Sequence, residues 1–375
     1  MGRSQRLYCR ILIGFFIWFL IFYGQLIYFN WHSVTNSCRS STCRDLSTNK
    51  FKSNSIENFR IQKKKTMNVN SLPDSVRQPL LLRYVPLGVN LFRFTKLSND
   101  TGKYLVYLCN KPCGGWGDRT RKIVGAFLLS LALNRTFIIR MNWPCPLTQL
   151  LEPNIIPWNV EIPNENQRTN LTVYKLTAND NDYRQLLLWK NIDVIYFPVK
   201  DLAYYSLLLW RDDLYRVLYY KYGLHRSILF LHSVFTLIYE LLFKLKSHPQ
   251  SHLDFISNKF HLDSLRCAHI RIGRNPSNPN DIIFPKRERM NKTVIAFLHN
   301  ISKADDMIFV STDSQDVQNY ARQQFSSRFL TIDGLIQHID RSGRHQSCNG
   351  FEKTVLDFYM ISFCQTMIMS KSAFR

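Results

Sequence analysis

The segment CNKPCGGWGDRTR, residues 109–121, gathers residue types suited to holding a phosphate or a polar sugar. Its glycines permit unusual backbone angles and let a ligand approach the main chain. An apolar-periodic run, RKIVGAFLLSLALN, continues it, so the corner opens a helix. The first N–H groups of a helix are unpaired and carry partial positive charge. Arg119 and Arg121 add donors nearby. The same residues also fit a purely structural turn stapled by a Cys109–Cys113 disulfide, with Asp118 capping the helix. The spacing is not the GxGxxG of a dinucleotide site, and no Walker lysine follows. A zinc site on Cys109, Cys113 and Cys145 lacks a fourth ligand at suitable spacing, so no metal site is expected.

A corner of this kind needs a strand before it and a sheet around it. YLVYLC, residues 104–109, reads as a buried strand, and TFIIR after the helix as a second. VIYFPV is a further strand, and LHSVFTLIYELLFKLK, residues 231–246, an amphipathic helix. The last third alternates again. Strand RCAHIRI leads to helix MNKTVIAFLHNIS, then strand DMIFVST and helix SQDVQNYARQQF. Strand RFLTID, helix EKTVLDFYMISFC and strand TMIMSKS complete it. Strand–helix alternation implies parallel sheets covered by helices. Two such blocks around an irregular middle predict an α/β chain of two lobes with a cleft between them.

The N-terminal region sets the expected compartment. Residues 11–29, ILIGFFIWFLIFYGQLIYF, are apolar except Gln25. As a helix they would span roughly 28 Å, close to the hydrocarbon thickness of a bilayer. Arg3, Arg6 and Arg10 precede the run without an acid among them, which favours a cytoplasmic N-terminus. The expected plan is a cytoplasmic tail over 1–10, a transmembrane signal anchor over 11–29 and a flexible stem over 30–82. An N-terminal lobe over 83–255 and a C-terminal lobe over 256–375 follow. Eight of the nine cysteines and five Asn-x-Ser/Thr sites lie beyond the span, as a secretory lumen permits. A net charge of +22 suits phosphate-bearing small molecules, anionic glycans and membrane surfaces. Behind an anchor it does not imply nucleic acid.

Four ordered blocks carry a family resemblance. GGWGDRTRKIVGAFLLSLALNRTFII, followed by WPCPLTQLLEPNIIPWN, resembles the start of the catalytic domain in the fucosyltransferase superfamily, which includes protein O-fucosyltransferases and α1,6- and α1,2-fucosyltransferases. HIRIGR, residues 269–274, is similar to the family's His-x-Arg block. FVSTDS, residues 309–314, is similar to its strand ending in Thr-Asp. LDFYMISFCQTMIMSKSAF, residues 356–374, is similar to its last block.

The resemblance implies a GT-B-like fold of two Rossmann-like lobes, with GDP-fucose held mainly by the C-terminal one and no metal or other cofactor. It implies inverting transfer of fucose to a glycan or glycoprotein acceptor by a single-pass type II Golgi membrane enzyme. Arg271 matches the arginine that contacts the β-phosphate, where a planar fork binds two oxygens at once. Residues two apart in a strand share a face, so His269 can share that site, although a core histidine fits equally. Thr312 and Asp313 match the Thr-Asp pair near the nucleotide. Asp357, Ser370 and Ser372 fall at positions near the guanine and phosphates, while helix-face and turn roles remain open for them. Gly115, Gly117 and Asp118 match the acceptor-side corner, with Asp118 the carboxylate best placed as a base. Two departures stand out. Arg274 replaces an acidic residue, and the sequence stops at Arg375, where relatives continue into a further helix. A non-catalytic relative that binds nucleotide or glycan is therefore the alternative. Another lumenal transferase, such as a sulfotransferase, would need a phosphosulfate loop with a lysine in a Gly-rich turn, which is missing.

Overall fold

In the computed structural model the described residues are 27–30, 89, 93–94, 101–163, 165, 171–175, 189, 191–198, 212–225, 232–260, 262–273, 290–340 and 344–369. They fall into two units, one of residues 48–250 and 343–348, the other of residues 1–47, 251–342 and 349–375. Both are α/β with parallel sheets.

The first unit is built around β2 (Tyr104–Cys109), β3 (Thr136–Met141), β5 (Val173–Lys175) and β6 (Val194–Pro198). They form one parallel sheet in the order β3-β2-β6-β5. The crossover from β2 to β3 is α1, Trp116–Ala132, buried along most of its length, including Ile123, Phe127, Leu128 and Leu131. Phe127 meets Phe137 edge to face with centroids 5.4 Å apart. From Ile123 onward every residue of this helix is buried, which accounts for a second half that is apolar on all sides. Arg135, buried, gathers the amino-terminal ends of β2 and β6 by donating to the carbonyls of Tyr104, Trp189 and Asp193. Burial lowers its pKa to about 10.

The amphipathic helix expected over 231–246 ends sooner. Helix α2 is Asp212–Tyr222, α3 is His232–Leu242, and Phe243–Leu245 forms β7, antiparallel to β4 (Leu151–Pro153). The sequence reason is alternation. Phe243 and Leu245 are buried while Lys244 is exposed and pairs with Glu152 across the ribbon at 3.0 Å. That period of two is a strand pattern. The Trp158 indole donates to the carbonyl of Leu242 at 2.6 Å, which ends the helix against the core.

The second unit holds β8 (Leu265–Ile270), β9 (Met307–Thr312), β10 (Phe329–Leu330) and β11 (Thr366–Met369), parallel to one another, with β1 (Ile27–Asn30) antiparallel at the edge. The order is β1-β11-β8-β9-β10. Helix α4 is Ser247–Lys259, α5 Met290–Ile301, α6 Gln315–Phe325 and α7 Arg344–Ser362. Alternation along β8 and β9 puts Ala268, Ile270, Ile308 and Val310 in one apolar core with Val294 and Leu298 of α5 and Val317 and Ala321 of α6. The strand expected over RFLTID shrinks to two residues, and the Thr331 hydroxyl just beyond it accepts from Gln318 at 2.7 Å.

The last three residues of the apolar N-terminal run, Ile27–Phe29, lie in β1 and not in a helix. β-branched and aromatic side chains suit an added edge strand. The rest of that run, and the stem beyond Asn30, lie outside the described residues. No helix among the described residues is long and apolar enough to cross a membrane.

Candidate functional site

In the second unit the expected site residues sit at the carboxyl ends of β8 and β9, where open parallel sheets bind ligands. His269 and Ser311 are register partners, and Met369 pairs with His269 on the other side. Strand β8 stops at Ile270 for an identifiable reason. The Asp313 carboxylate accepts the N–H groups of Ile272 (2.9 Å) and Gly273 (3.0 Å), which would otherwise continue the ladder. Gly273 has a φ of 95°, a left-handed angle that glycine adopts without strain. Asp313 thus clamps the loop that carries Arg271, and its Oδ2 lies 3.8 Å from Arg271 Nε. Arg271 itself is about half exposed, with 45% of its side chain open to solvent.

Immediately after Asp313, Ser314 caps α6 by accepting the Val317 N–H, and the Ser314 N–H is bonded to the Thr312 hydroxyl at 3.2 Å. Thr312 and Asp313 therefore shape the loop and helix entry that surround the strand ends. The Nδ1 atom of His269 is buried and meets no hydrogen-bond partner among the described residues. Burial holds this imidazole below its usual pKa, Asp313 pulls the other way, and Arg271 adds to the depression. A neutral ring with an open nitrogen can donate to, or accept from, a polar ligand.

Asp357 is buried beneath these strands. Its Oδ2 accepts from the Ser311 hydroxyl at 3.0 Å, and Lys353 Nζ reaches its two oxygens at 3.1 and 3.3 Å. Burial pushes this carboxyl above its usual pKa against the pull of Lys353 and Ser311. Lys353 also donates to the Ile332 carbonyl at 2.9 Å, tying the loop after β10 to α7. The protein itself therefore supplies partners to both Asp357 oxygens. Sequence reasoning passed over Ser311 and Lys353. The i,i+4 spacing in KTVLD was the available signal for the pair. Ser370, Ser372 and Arg274 lie outside the described residues.

In the first unit the corner is both stapled and strapped. Cys109 and Cys113 form a disulfide, with Cα atoms 6.0 Å apart. Gly114 has a φ of 98°, and a Cβ there would lie 3.2 Å from Asp118 Cβ. The glycine requirement therefore sits at Gly114. At Gly115 and Gly117 an added Cβ meets nothing within 4 Å, so both border open space. Asp118 does not cap α1, because Gly115 is the N-cap and no side chain bonds there. It lies in the first turn and pairs with Arg121 at 2.8 Å, with 43% of its side chain exposed.

Arg119 departs from expectation. Its side chain is fully buried, donating to the Gly114 carbonyl at 2.7 Å and to the Trp143 carbonyl. It braces the corner against the end of β3 and is not a ligand donor. A further group was missed. Arg140 at the end of β3 forms a two-pronged ion pair with Glu165, which also accepts from the Tyr196 hydroxyl. The bond from Arg140 holds the Glu165 carboxyl below its usual pKa.

Two more disulfides complete the described cysteines, Cys145–Cys348 and Cys267–Cys364. The sequence led to the expectation of neither pair. Contrary to the expectation that the sequence has no Asp-x-Asp triplet of the kind that holds a divalent ion, one is present, Asp180–Asn181–Asp182, outside the described residues.

No protein-family profile matches the chain, and no curated protein matches it. Among solved structures the chain is similar to a mutant of Arabidopsis thaliana FUT1 in complex with GDP, at 12% identity, 79% coverage of this chain and 74% of that one, with a TM-score of 0.48. It is similar to the α1,6-fucosyltransferase NodZ soaked with GDP-fucose, at 14% identity, 70% and 86% coverage and a TM-score of 0.45. For POFUT1 in complex with GDP-fucose the values are 12%, 69% and 95%, and 0.36.

Proposed function

We propose that the protein is an inverting, metal-independent glycosyltransferase of GT-B-like architecture that moves fucose from GDP-fucose to a glycan or glycoprotein acceptor. The observation that carries the reading is the end of β8. A half-exposed Arg271 stands on a loop whose backbone is fixed by Asp313, two residues from a histidine with an open, buried nitrogen. These are the residues on which the sequence blocks resemble the fucosyltransferase donor site.

The chemistry follows from charge. As the bond from fucose to the diphosphate breaks, negative charge grows on the departing GDP. A guanidinium already held in place stabilises that charge more in the transition state than in the ground state. The clamp matters because a fork fixed in advance loses little freedom on binding. Asp118, exposed in the first turn of α1, is the proposed base, and its pairing with Arg121 sets a condition on that role. Arg121 occupies one carboxylate oxygen of Asp118, so it must turn away or bind the acceptor for that oxygen to take the acceptor proton. The proposed setting is a Golgi membrane, with the apolar run from Ile11 as anchor and the catalytic units in the lumen. Incubation of the full chain with GDP-fucose and a mixed glycan acceptor, in EDTA, tests the reading. Release of GDP that Arg271→Ala abolishes supports it. GDP release unaffected by that substitution removes it.

A further inference from the structure

The outer side of α2 carries a pocket of about 360 Å³, lined by Asp212, Tyr215, Arg216, Tyr219, Tyr220 and His225, all of the first unit. The helix sorts its residues by period. Leu214, Leu218 and Tyr222, spaced by four, are buried, and Tyr222 packs on Phe94, which in turn meets Phe127 of α1. Tyr215 and Tyr219, also four apart, form a separate row with Asp212 and Arg216 beside them. Tyr220 is 79% exposed and Tyr219 39%. Aromatic surface left open and rimmed by polar groups marks a binding site.

Tyr219 is the centre of the patch. Its ring lies within 25° of the Tyr215 plane, with centroids 5.9 Å apart. Tyr220 and His225 stand edge-on to it, at 4.9 and 5.7 Å. His225 reaches that ring because Gly223 ends α2 at a φ of 71°, a left-handed angle suited to glycine. The Gly223 N–H bonds the Tyr219 carbonyl at 2.8 Å, and the Leu224 N–H bonds the Leu218 carbonyl at 3.1 Å, so the chain folds back over the last turn. Lys221 shows where the patch lies. Its Nζ donates to Asn134 Oδ1 at 2.9 Å, two residues beyond the end of α1. The glycine corner and Asp118 stand at the other end of that 17-residue helix, roughly 25 Å away. The pocket is therefore separate from the corner.

The lining selects a class of ligand. The faces of tyrosine rings are electronegative and attract C–H groups polarised by neighbouring oxygens. A pyranose with equatorial hydroxyls presents a flat array of such C–H groups on each face. Its hydroxyls, at the rim, both donate and accept. Asp212 only accepts, Arg216 only donates and the tyrosine hydroxyls do both, so each meets a partner on a sugar. An anion drawn to Arg216 would also face Asp212, and a cation drawn to Asp212 would face Arg216. The spacing of Tyr215 and Tyr219 is close to the length of one pyranose residue, so the row offers stations to two successive sugars.

We infer that the outer side of α2 binds a neutral oligosaccharide of β-linked, equatorially substituted pyranoses, remote from the glycine corner. The site does not depend on the transferase reading. The test is ligand-observed saturation-transfer NMR on the full chain without nucleotide, with cellotriose and chitotriose as probes and adenosine and choline as competitors. At least one trisaccharide should bind saturably, with the strongest saturation at its axial ring protons. Tyr219→Ala and Tyr220→Ala should each weaken it about three- to tenfold, the worth of one ring contact. Tyr220→Phe, which keeps the ring, should bind like the parent. Melting temperature and stabilisation by GDP should be unchanged in all three variants, which separates loss of a ligand contact from misfolding. Absence of trisaccharide binding, binding untouched by both alanine substitutions, or displacement by adenosine or choline would overturn the inference. Trisaccharide binding weakened by the alanine substitutions in a protein that GDP does not stabilise would remove the donor reading and leave this site standing.

Discussion

Replacing Lys353 with methionine should destabilise the protein by an amount that depends on pH. Lys353 is 5% exposed and Asp357 6%. The ammonium makes bonds of 3.1 and 3.3 Å to the carboxylate and one of 2.9 Å to the Ile332 carbonyl. Removing it leaves a buried carboxylate with only the Ser311 hydroxyl as partner. Breaking a buried ion pair from one side costs about 3–5 kcal/mol. The sign with pH follows from Asp357, whose carboxyl burial already pushes above its usual pKa. Loss of Lys353 pushes it further. A carboxyl with a raised folded-state pKa contributes stability at low pH and loses it as pH rises through that value. The deficit of Lys353→Met should therefore be full at pH 7 and shrink as pH falls toward 4. Asp357→Asn in the variant background should recover much of it at pH 7. Urea unfolding midpoints across that pH range measure all three. A deficit below about 1 kcal/mol, or one independent of pH, would refute the idea that a buried charge pair holds α7 and the Ile332 loop to β9.

Other outcomes follow from the same contacts. Arg119→Lys should lower stability by about 2–4 kcal/mol, because an ammonium cannot bridge the Gly114 and Trp143 carbonyls as the guanidinium does; thermal unfolding measures this, and a melting temperature equal to the parent's contradicts it. Peptide mapping without reduction should recover Cys109–Cys113, Cys145–Cys348 and Cys267–Cys364 linked. Cys145→Ser should cost about 2–5 kcal/mol, since that bond closes a loop spanning 203 residues. Glu165 has a lowered folded-state pKa, so its contribution is full above its unfolded value and fades as pH falls below about 4.3. Glu165→Gln should flatten the acid slope of melting temperature between pH 5 and 3, and an unchanged slope counts against the Arg140 pair as its source.

The alternation of strands and helices was legible because its periods differ so much. YLVYLC and DMIFVST lie on β2 and β9 almost to the residue, and the Ser314 cap marks where α6 begins. What failed was context. The run from 231 to 246 reads as one amphipathic helix, and the alternation of buried Phe243 and Leu245 with exposed Lys244 finds its use only in the pairing with β4. Arg119 looked like a ligand donor because exposure cannot be read from an arginine's neighbours in sequence; the two carbonyls it bonds come from the corner before α1 and from the turn after β3. The Arg271 loop was visible as a motif. That Asp313 serves as its clamp was not, because the bonds run to backbone N–H groups some forty residues away. Cys145–Cys348 and Cys267–Cys364 join residues 203 and 97 apart, distances at which sequence offers no pairing rule.

The central claim is that Arg271 and its clamped loop hold a guanosine diphosphate donor. Its most direct test is the melting temperature of the full chain in EDTA with GDP, GDP-fucose, UDP or adenosine 3′,5′-bisphosphate. A ligand that binds only the folded state raises stability with the logarithm of its concentration over its dissociation constant. GDP and GDP-fucose should raise the melting temperature and the other two should not. Arg271→Ala should need roughly 10 to 100 times more GDP for the same shift, the worth of a charge-assisted bond. No shift with GDP in a folded protein, or an undiminished shift in Arg271→Ala, would contradict the account.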